Sequence, residues 1–469
     1  MFGRHASAHV AWALVASALA GCLDAPEPVQ PDALAMETLA LACVVLPACE
    51  RSLSGPGVNE FSVAVHPLDP DNAIVTANDY GAQENPALRA VNRLWGSWWF
   101  TKDGGLTWTK RTLPGMLPEL SSSLSSYFFV GDLVVAFGPD GTAYVAGIAY
   151  SIVVVPGVAA IPVYRNALFL ARSTDGGETF SEPALVDSYH TEAAFHDKPA
   201  LAVDAEGRIF LVWNFMDQGQ RGSPGDQGMR VAASEDGGST WRTEWISRND
   251  WGISASIAVG PDGAVNVAWR AYEPDAIRFS RSTDHGRTWS PTVEIHRMAN
   301  LPLVLPNTSY RAFALPTLAA RPDGMLLAIF PDAGEHGDSD VFLARSRDDG
   351  ATWTLARLNA DGTRTAQFLP TLAAAPDGRV VAAWLDRRDD PSDKTYHLYA
   401  AVSDDGATFR EFRVTTAASR EAGDGTLFIG DYLGAAIGGE RVYFAWPDLR
   451  EDGKSRLWAG ALRLPELPR

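Results

Sequence analysis

Basic side chains are scarce in this chain: 39 Lys and Arg stand against 57 Asp and Glu in 469 residues, a formal net charge of −18. Proteins that grip a nucleic-acid backbone need a basic face, so the balance argues against DNA or RNA as a partner. It favours solubility outside a cell and gives no long-range attraction to an anionic ligand, which only local arginines would hold. Cysteine is scarcer still. Cys22, Cys43 and Cys49 are the whole complement, and no zinc motif can be built from them. Cys43 and Cys49 can pair in an oxidising exterior or remain reduced, and their spacing does not choose. No Walker-type or dinucleotide glycine loop stands in a strand-to-helix context.

Long apolar runs are also few. The stretch from Val10 to Leu19, preceded by Arg4, is short for a membrane-spanning helix. It ends in Leu19-Ala20-Gly21-Cys22 and resembles a bacterial lipoprotein signal. That resemblance implies removal of residues 1–21, lipid on the Cys22 thiol, and a mature protein exported to the cell envelope or surface. Plain secretion and an uncleaved anchor are the alternatives. The stretch from Leu23 to Glu37 contains Pro and acids and reads as a flexible tether. Residues 22–55 thus divide into tether and a candidate strand at Leu39 to Val45, and residues 56–469 form one repeated unit.

What the chain has in abundance is one octapeptide, Ser/Thr-X-Asp-X-Gly-X-Thr-Trp/Phe. Its copies begin at Thr101, Ser173, Ser234, Ser282 and Ser346, and a sixth, Val402 to Phe409, has Val in place of the leading Ser. The motif aspartates are Asp103, Asp175, Asp236, Asp284, Asp348 and Asp404. The Gly supplies the positive φ of a tight hairpin, and the carboxylate can accept from the turn's own amides. The closing aromatic is an anchor for burial between sheets. These aspartates are therefore expected to fold hairpins rather than to catalyse.

A second repeat precedes each box: strand, turn, strand. The turns include Pro139-Asp140-Gly141, Pro261-Asp262-Gly263, Pro322-Asp323-Gly324 and Pro376-Asp377-Gly378. With divergent copies at Phe61 to Asn78 and Leu427 to Trp446, this inner hairpin occurs seven times, in units of about 57 residues. The six boxes and their spacing resemble the Asp-box, or BNR, repeat of the sialidase-like β-propellers. The resemblance implies an all-β chain, a single propeller of four-stranded blades, and boxes remote from the ligand site. Seven blades are expected, or six if the first or last unit is not a separate sheet. The last unit lacks a box and an outer strand, so an N-terminal strand at Leu39 to Val45 is expected to close the ring.

Ligands of propellers sit over the central opening, among loops that follow second strands or enter first strands. There the sequence puts Arg270, Asp386, Arg388, Asp448 and Arg450 at second-strand ends, and Asp132, Asp197, Asp431 and Tyr432 at first-strand entries. Arg270, Asp386, Arg388, Asp431, Tyr432, Asp448 and Arg450 are the candidate ligand-binding set. Such residues can hold a polar ligand or carry acid/base chemistry, and they can equally tie loops into a solvated rim. No metal or cofactor is expected. The acidic loops Asp332 to Asp340 and Asp386 to Asp393 suggest Ca²⁺ only weakly, because their spacing matches no defined calcium loop. His190 and His196, near Glu192 and Asp197, read as ordinary hydrogen-bonded histidines before they read as ligands.

Catalytic sialidases, which the repeat resembles, use an arginine triad, a Tyr nucleophile assisted by Glu, and an Asp acid/base, with an Arg-Ile-Pro element near the first blade. That element is missing: Arg208-Ile209 is followed by Phe210, in the second strand of a later unit. Arg270, Arg388 and Arg450 with Tyr432 imitate the triad and nucleophile by position in the repeat alone. The expected function is thus recognition of a glycan or surface protein on the central face. The alternative is a glycoside hydrolase, exo-sialidase-like, with a divergent site.

Overall fold

The computed structural model describes residues 35–38 and 50–464, apart from short stretches at 90, 92, 153–162, 190–193, 218–224, 300, 335–336 and 423–427. Among the described residues the strands form seven sheets, five of them plain up-and-down antiparallel sets and two completed by an N-terminal strand. Blades 1 to 7 cover residues 58–112, 129–189, 194–248, 252–297, 317–357, 367–413 and 434–463. Blade 3 shows the plan, with strands Ala194–Val203, Ile209–Asp217, Gln227–Ser234 and Arg242–Arg248 in that order. Its second strand is a nearly continuous apolar run because both of its faces pack against neighbouring blades, and Trp213 there is fully buried. Trp269, Trp384 and Trp446 repeat the arrangement in blades 4, 6 and 7. First strands of consecutive blades pack side by side all the way round, and that of blade 7 meets that of blade 1.

The closing strand is N-terminal but does not fall where the sequence placed it. Arg51–Ser52 pairs antiparallel with Arg456–Arg463 and serves as the fourth strand of blade 7. Leu53 N–H continues the ladder to Leu457 O at 2.9 Å. Leu39 to Val45 lies outside the described residues, and Ala35–Thr38 instead adds a parallel fifth strand to blade 6 beside Thr408–Arg413. Two residues suffice to cover the edge of blade 7, since a short pairing already occupies the exposed donors nearest its centre.

Strand direction decides which residues share an end of the ring. First strands start, and second strands finish, at one end, here called the mouth. Turns between first and second strands lie at the other, as do the boxes, which follow third strands. Each box is a closed hydrogen-bond set: Ser234 Oγ donates to Asp236 at 2.8 Å, Gly238 N–H to Ser234 Oγ at 2.9 Å, and the Thr240 amide and hydroxyl to Asp236 at 2.8 and 2.7 Å. The sixth copy corrects the sequence reading. Asp405, not Asp404, accepts from Ser403 Oγ, Thr408 N–H and Thr408 Oγ. Ser403 keeps the leading role by shortening the turn one residue, because only a hydroxyl there can bridge the aspartate and the Gly406 amide.

Candidate functional site

At the mouth the first strands do something the periodicity of the sequence does not announce. Five of them break register near their start, and each break carries a non-glycine residue with positive φ: Glu60 at 59°, Asp132 at 51°, Lys198 at 46°, Ser254 at 55° and Leu369 at 48°. Such bulges re-aim side chains, and left-handed backbone at a non-glycine residue costs about 1–3 kcal/mol. In blades 1, 2 and 3 the re-aimed residues are charged, and they meet.

Lys198 Nζ lies 2.6 Å from Asp431 and 3.3 Å from Glu60, with all three residues buried. Arg311, from the long connection before blade 5, holds both Asp431 oxygens at 2.8 and 2.7 Å. Asn78 donates to Glu60 at 2.5 Å and to Asp132 at 3.4 Å, and accepts from the Asp132 amide at 2.7 Å. Asp132 adds like-charge repulsion to both Glu60 and Asp197. A cavity of about 90 Å³ opens over the group, with Tyr80, Tyr150, Phe195 and Phe428 among its walls. Below it the ring encloses a channel of about 260 Å³ that Lys198, Asp431 and Tyr432 also line.

Burial sets the protonation pattern. It pushes Asp197 up to about 7 against the pull of Lys198, with Asp132 and Asp431 adding like-charge repulsion. It raises Glu60 strongly in the same way. Burial also opposes ionisation of Asp431, but Lys198 and Arg311 outweigh it and hold that carboxyl below its ordinary range. Lys198 stays charged because the acids around it overcome its own desolvation. The Tyr432 phenol is driven far up by burial and by Glu60, Asp132, Asp431 and Asp197, and Lys198 stands 5.3 Å from its ring centre.

Of the candidate set read from the sequence, the structure brings Asp431 and Tyr432 to the centre of the mouth, beside Lys198 and the channel, and uses the rest otherwise. Asp386 accepts from Trp384 Nε1 at 2.8 Å and from Arg388 Nε and Nη2 at 3.0 and 2.6 Å. Asp448 repeats this with Trp446 at 3.0 Å and Arg450 at 3.0 and 2.7 Å. Each arginine lies over an aromatic ring of its own blade, Tyr399 at 4.3 Å and Trp458 at 4.0 Å; Arg388 also contacts Glu411 and Asp361, and Arg450 contacts Glu50. These Trp-X-Asp-X-Arg clips lock blades 6 and 7, and Glu50, from the closing segment, fills in blade 7 the place that Glu411 fills in blade 6. Arg270 is held by Asp275 at 2.9 and 2.7 Å. None of the three arginines lines the cavity, so the imitation of a triad fails: their guanidinium groups are consumed locally.

His196 is buried against Asn166 and Asp187, and burial lowers its pKa, so it stays neutral; His190 and Glu192 lie outside the described residues. In the acidic loops Asp332 accepts from the Ala299 and Ala333 amides and contacts His296 at 2.7 Å, while Asp340 accepts from Asn359. Among the described residues no three His, Cys, Asp or Glu side chains gather as metal ligands. Cys22, Cys43 and Cys49 lie outside the described residues.

Residues 164–319 match the model of the BNR repeat-like domain family. A curated sialidase from Micromonospora viridifaciens is 27% identical over 291 residues, 45% of this chain and 44% of the relative. The chain is a sialidase-like BNR β-propeller. The matched part spans less than half of that sialidase. Among solved structures, a protein of unknown function from Dyadobacter fermentans superposes with a TM-score of 0.48 at 17% identity, over 76% of this chain and 99% of that chain. A Hadza microbial sialidase gives 0.47 at 19%, over 76% of this chain and 66% of that chain.

Within the propeller, Glu60, Lys198 and Arg311 escaped sequence reasoning. Aligning the seven first strands by their entries would have found two of them, because Asn59-Glu60, Gly131-Asp132, Asp197-Lys198 and Gly430-Asp431 stand at corresponding points. Arg311 has no such signal, since it comes from an irregular connection.

Proposed function

We propose that the protein recognises the terminal unit of a glycan at the mouth, and that it does so exported and lipid-anchored through Cys22. The observation that carries this reading is the two-sided cavity. Aromatic rings on some walls and a hydrogen-bonding carboxyl, ammonium and guanidinium group on others are what a sugar requires, with its apolar ring faces and polar edge. A surface protein would need a larger contact than this recess, although its glycan would fit. Hydrolysis is the second reading, favoured by one specific observation: the carboxyl groups of Glu60, Asp132 and Asp197 all line the same cavity.

A glycan array on the purified chain tests the reading. Saturable binding is expected, and Arg311→Ala is expected to weaken it by at least tenfold. Binding that survives this substitution, or a ligand found crystallographically only at the box end, refutes the site. Cys22→Ser is expected to abolish labelling with a fatty acid, and equal labelling of that variant refutes the anchor.

A further inference from the structure

The chain ahead of the ring is pinned to it twice, and the first pin has a direction. Ala35–Thr38 pairs in parallel with Thr408–Arg413, the fourth strand of blade 6, in a register that sets Ala35 beside Thr408 and Thr38 beside Glu411. Thr408 belongs to the last box, where its amide and hydroxyl bond Asp405, whereas Glu411 reaches Arg388 of the blade 6 clip at the mouth. The added strand therefore runs from the box end toward the mouth, and the chain N-terminal to Ala35 leaves the ring at the box end. The second pin lies downstream. Glu50 accepts from the Thr416 amide at 3.1 Å and hydroxyl at 2.8 Å and pairs with Arg450, just before Arg51–Ser52 closes blade 7. Main-chain pairing at a sheet edge holds an extended segment in place and fixes its direction.

Resting on the lipid anchor proposed above, we propose that the box end faces the membrane that holds the protein, and that the mouth is presented away from it, to glycans outside that leaflet. Thirteen residues, Cys22 to Leu34, separate the proposed lipid position from the added strand, and at full extension they reach at most about 45 Å. A first strand of 10 residues, such as Ala194–Val203, makes a blade about 33 Å tall. A mouth turned to the membrane would oblige most of that reach to run back along the outer flank of blade 6, whereas a box end turned to it needs no such detour. Charge keeps the ring off the lipid rather than seated on it. Glu178, Glu235, Asp349 and Asp404 stand exposed at the box end, and an anionic headgroup layer repels them.

The test uses the full lipidated chain on phospholipid vesicles whose headgroups carry an energy acceptor. A fluorophore is attached through Glu235→Cys, in the exposed turn of the third box, or through Arg297→Cys, at the mouth end of the fourth strand of blade 4. Cys43→Ser and Cys49→Ser accompany each, so that Cys22 and the label position are the only cysteines. Because the two ends lie about 33 Å apart, the acceptor is expected to quench the Glu235→Cys label at least twofold more than the Arg297→Cys label. Met36→Pro together with Thr38→Pro removes main-chain donors from the added strand and is expected to bring that ratio toward one while the ring stays folded. Equal quenching at the two positions, stronger quenching at the mouth, or a ratio unmoved by the two prolines overturns the orientation. A chain that takes up no fatty acid defeats the anchor and the orientation together, whereas a lipidated chain with equal quenching defeats the orientation alone and leaves the anchor standing.

Discussion

Aspartate does opposite things at the two ends of this ring. At the boxes, Asp236 is held down to about 2 by the hydroxyl and amide of Thr240 and the hydroxyl of Ser234, in a turn open to water. Asp348 is likewise held at about 2 by Thr352 and Ser346. At the mouth, Asp197 is driven up to about 7 because burial and like charges outweigh Lys198. The side chain is the same; what differs is whether donors or other carboxyls surround it. Donors that belong to the turn favour the ionised form and stabilise the fold, whereas crowded acids store unfavourable energy that a ligand or a reaction can draw on.

The largest test of that contrast is Lys198→Met. Removing the ammonium leaves Asp431 and Glu60 buried with Arg311 alone, at a cost of about 3–5 kcal/mol. Urea unfolding at neutral pH measures it, and the deficit is expected to shrink in acid as Glu60 and Asp197 take up protons. An unchanged midpoint would mean that the mouth is not an ionic network at all.

Stability against pH separates the two ends next. For Asp197 the folded pKa lies above the unfolded value, so the native state binds the extra proton and stability falls as pH rises from about 4 to about 7. Asp197→Asn is expected to flatten that slope and to gain on the wild type above pH 7 by about 1 kcal/mol or more. For Asp236 the order is reversed: its contribution is complete above about pH 4 and is lost as pH falls through about 2. Asp236→Asn is expected to flatten only this acid limb. Equal slopes in both variants would erase the distinction.

Asp236→Ala removes the turn's acceptor and is expected to lower Tm by about 2 °C in a ring this size, without changing ligand binding at the mouth. The smallest effect sharpens the register of the last box. Asp405→Ala is expected to lower Tm about as much as Asp236→Ala does, while Asp404→Ala, whose 3.5 Å contact with Arg410 is exposed, should leave it unaltered. A reversed pair would restore the full-length reading of that box.

The sialidase-like repeat was legible because it is local. A Gly at the turn, a Ser or Thr two residues before the Asp, and an aromatic after the Thr fix a hairpin within eight residues, and seven hairpins fix a ring. Even the error at Asp404 is instructive. Counting from Asp-Asp-Gly-Ala-Thr favoured full length, but the hydroxyl of Ser403 has to reach both Asp405 and Gly406, and that chemistry selects the shorter turn. The candidate arginines misled for a related reason. Position in the repeat located Arg388 and Arg450 correctly at second-strand ends, yet said nothing of Glu411 and Glu50, which arrive from outer strands and consume them.

The sequence by itself therefore determined the blade, favoured seven blades over six, and gave the end of the ring at which Asp431 and Tyr432 stand, because each follows from contacts between residues near in the chain. Only the tertiary structure decided what the mouth is made of. Glu60, Lys198 and Asp431 are separated by 138 and 233 residues, and they meet because strand bulges turn them inward and the ring closes on itself. Their charges then shift one another through a low-dielectric interior, an effect that depends on distance in space and leaves no trace in spacing along the chain.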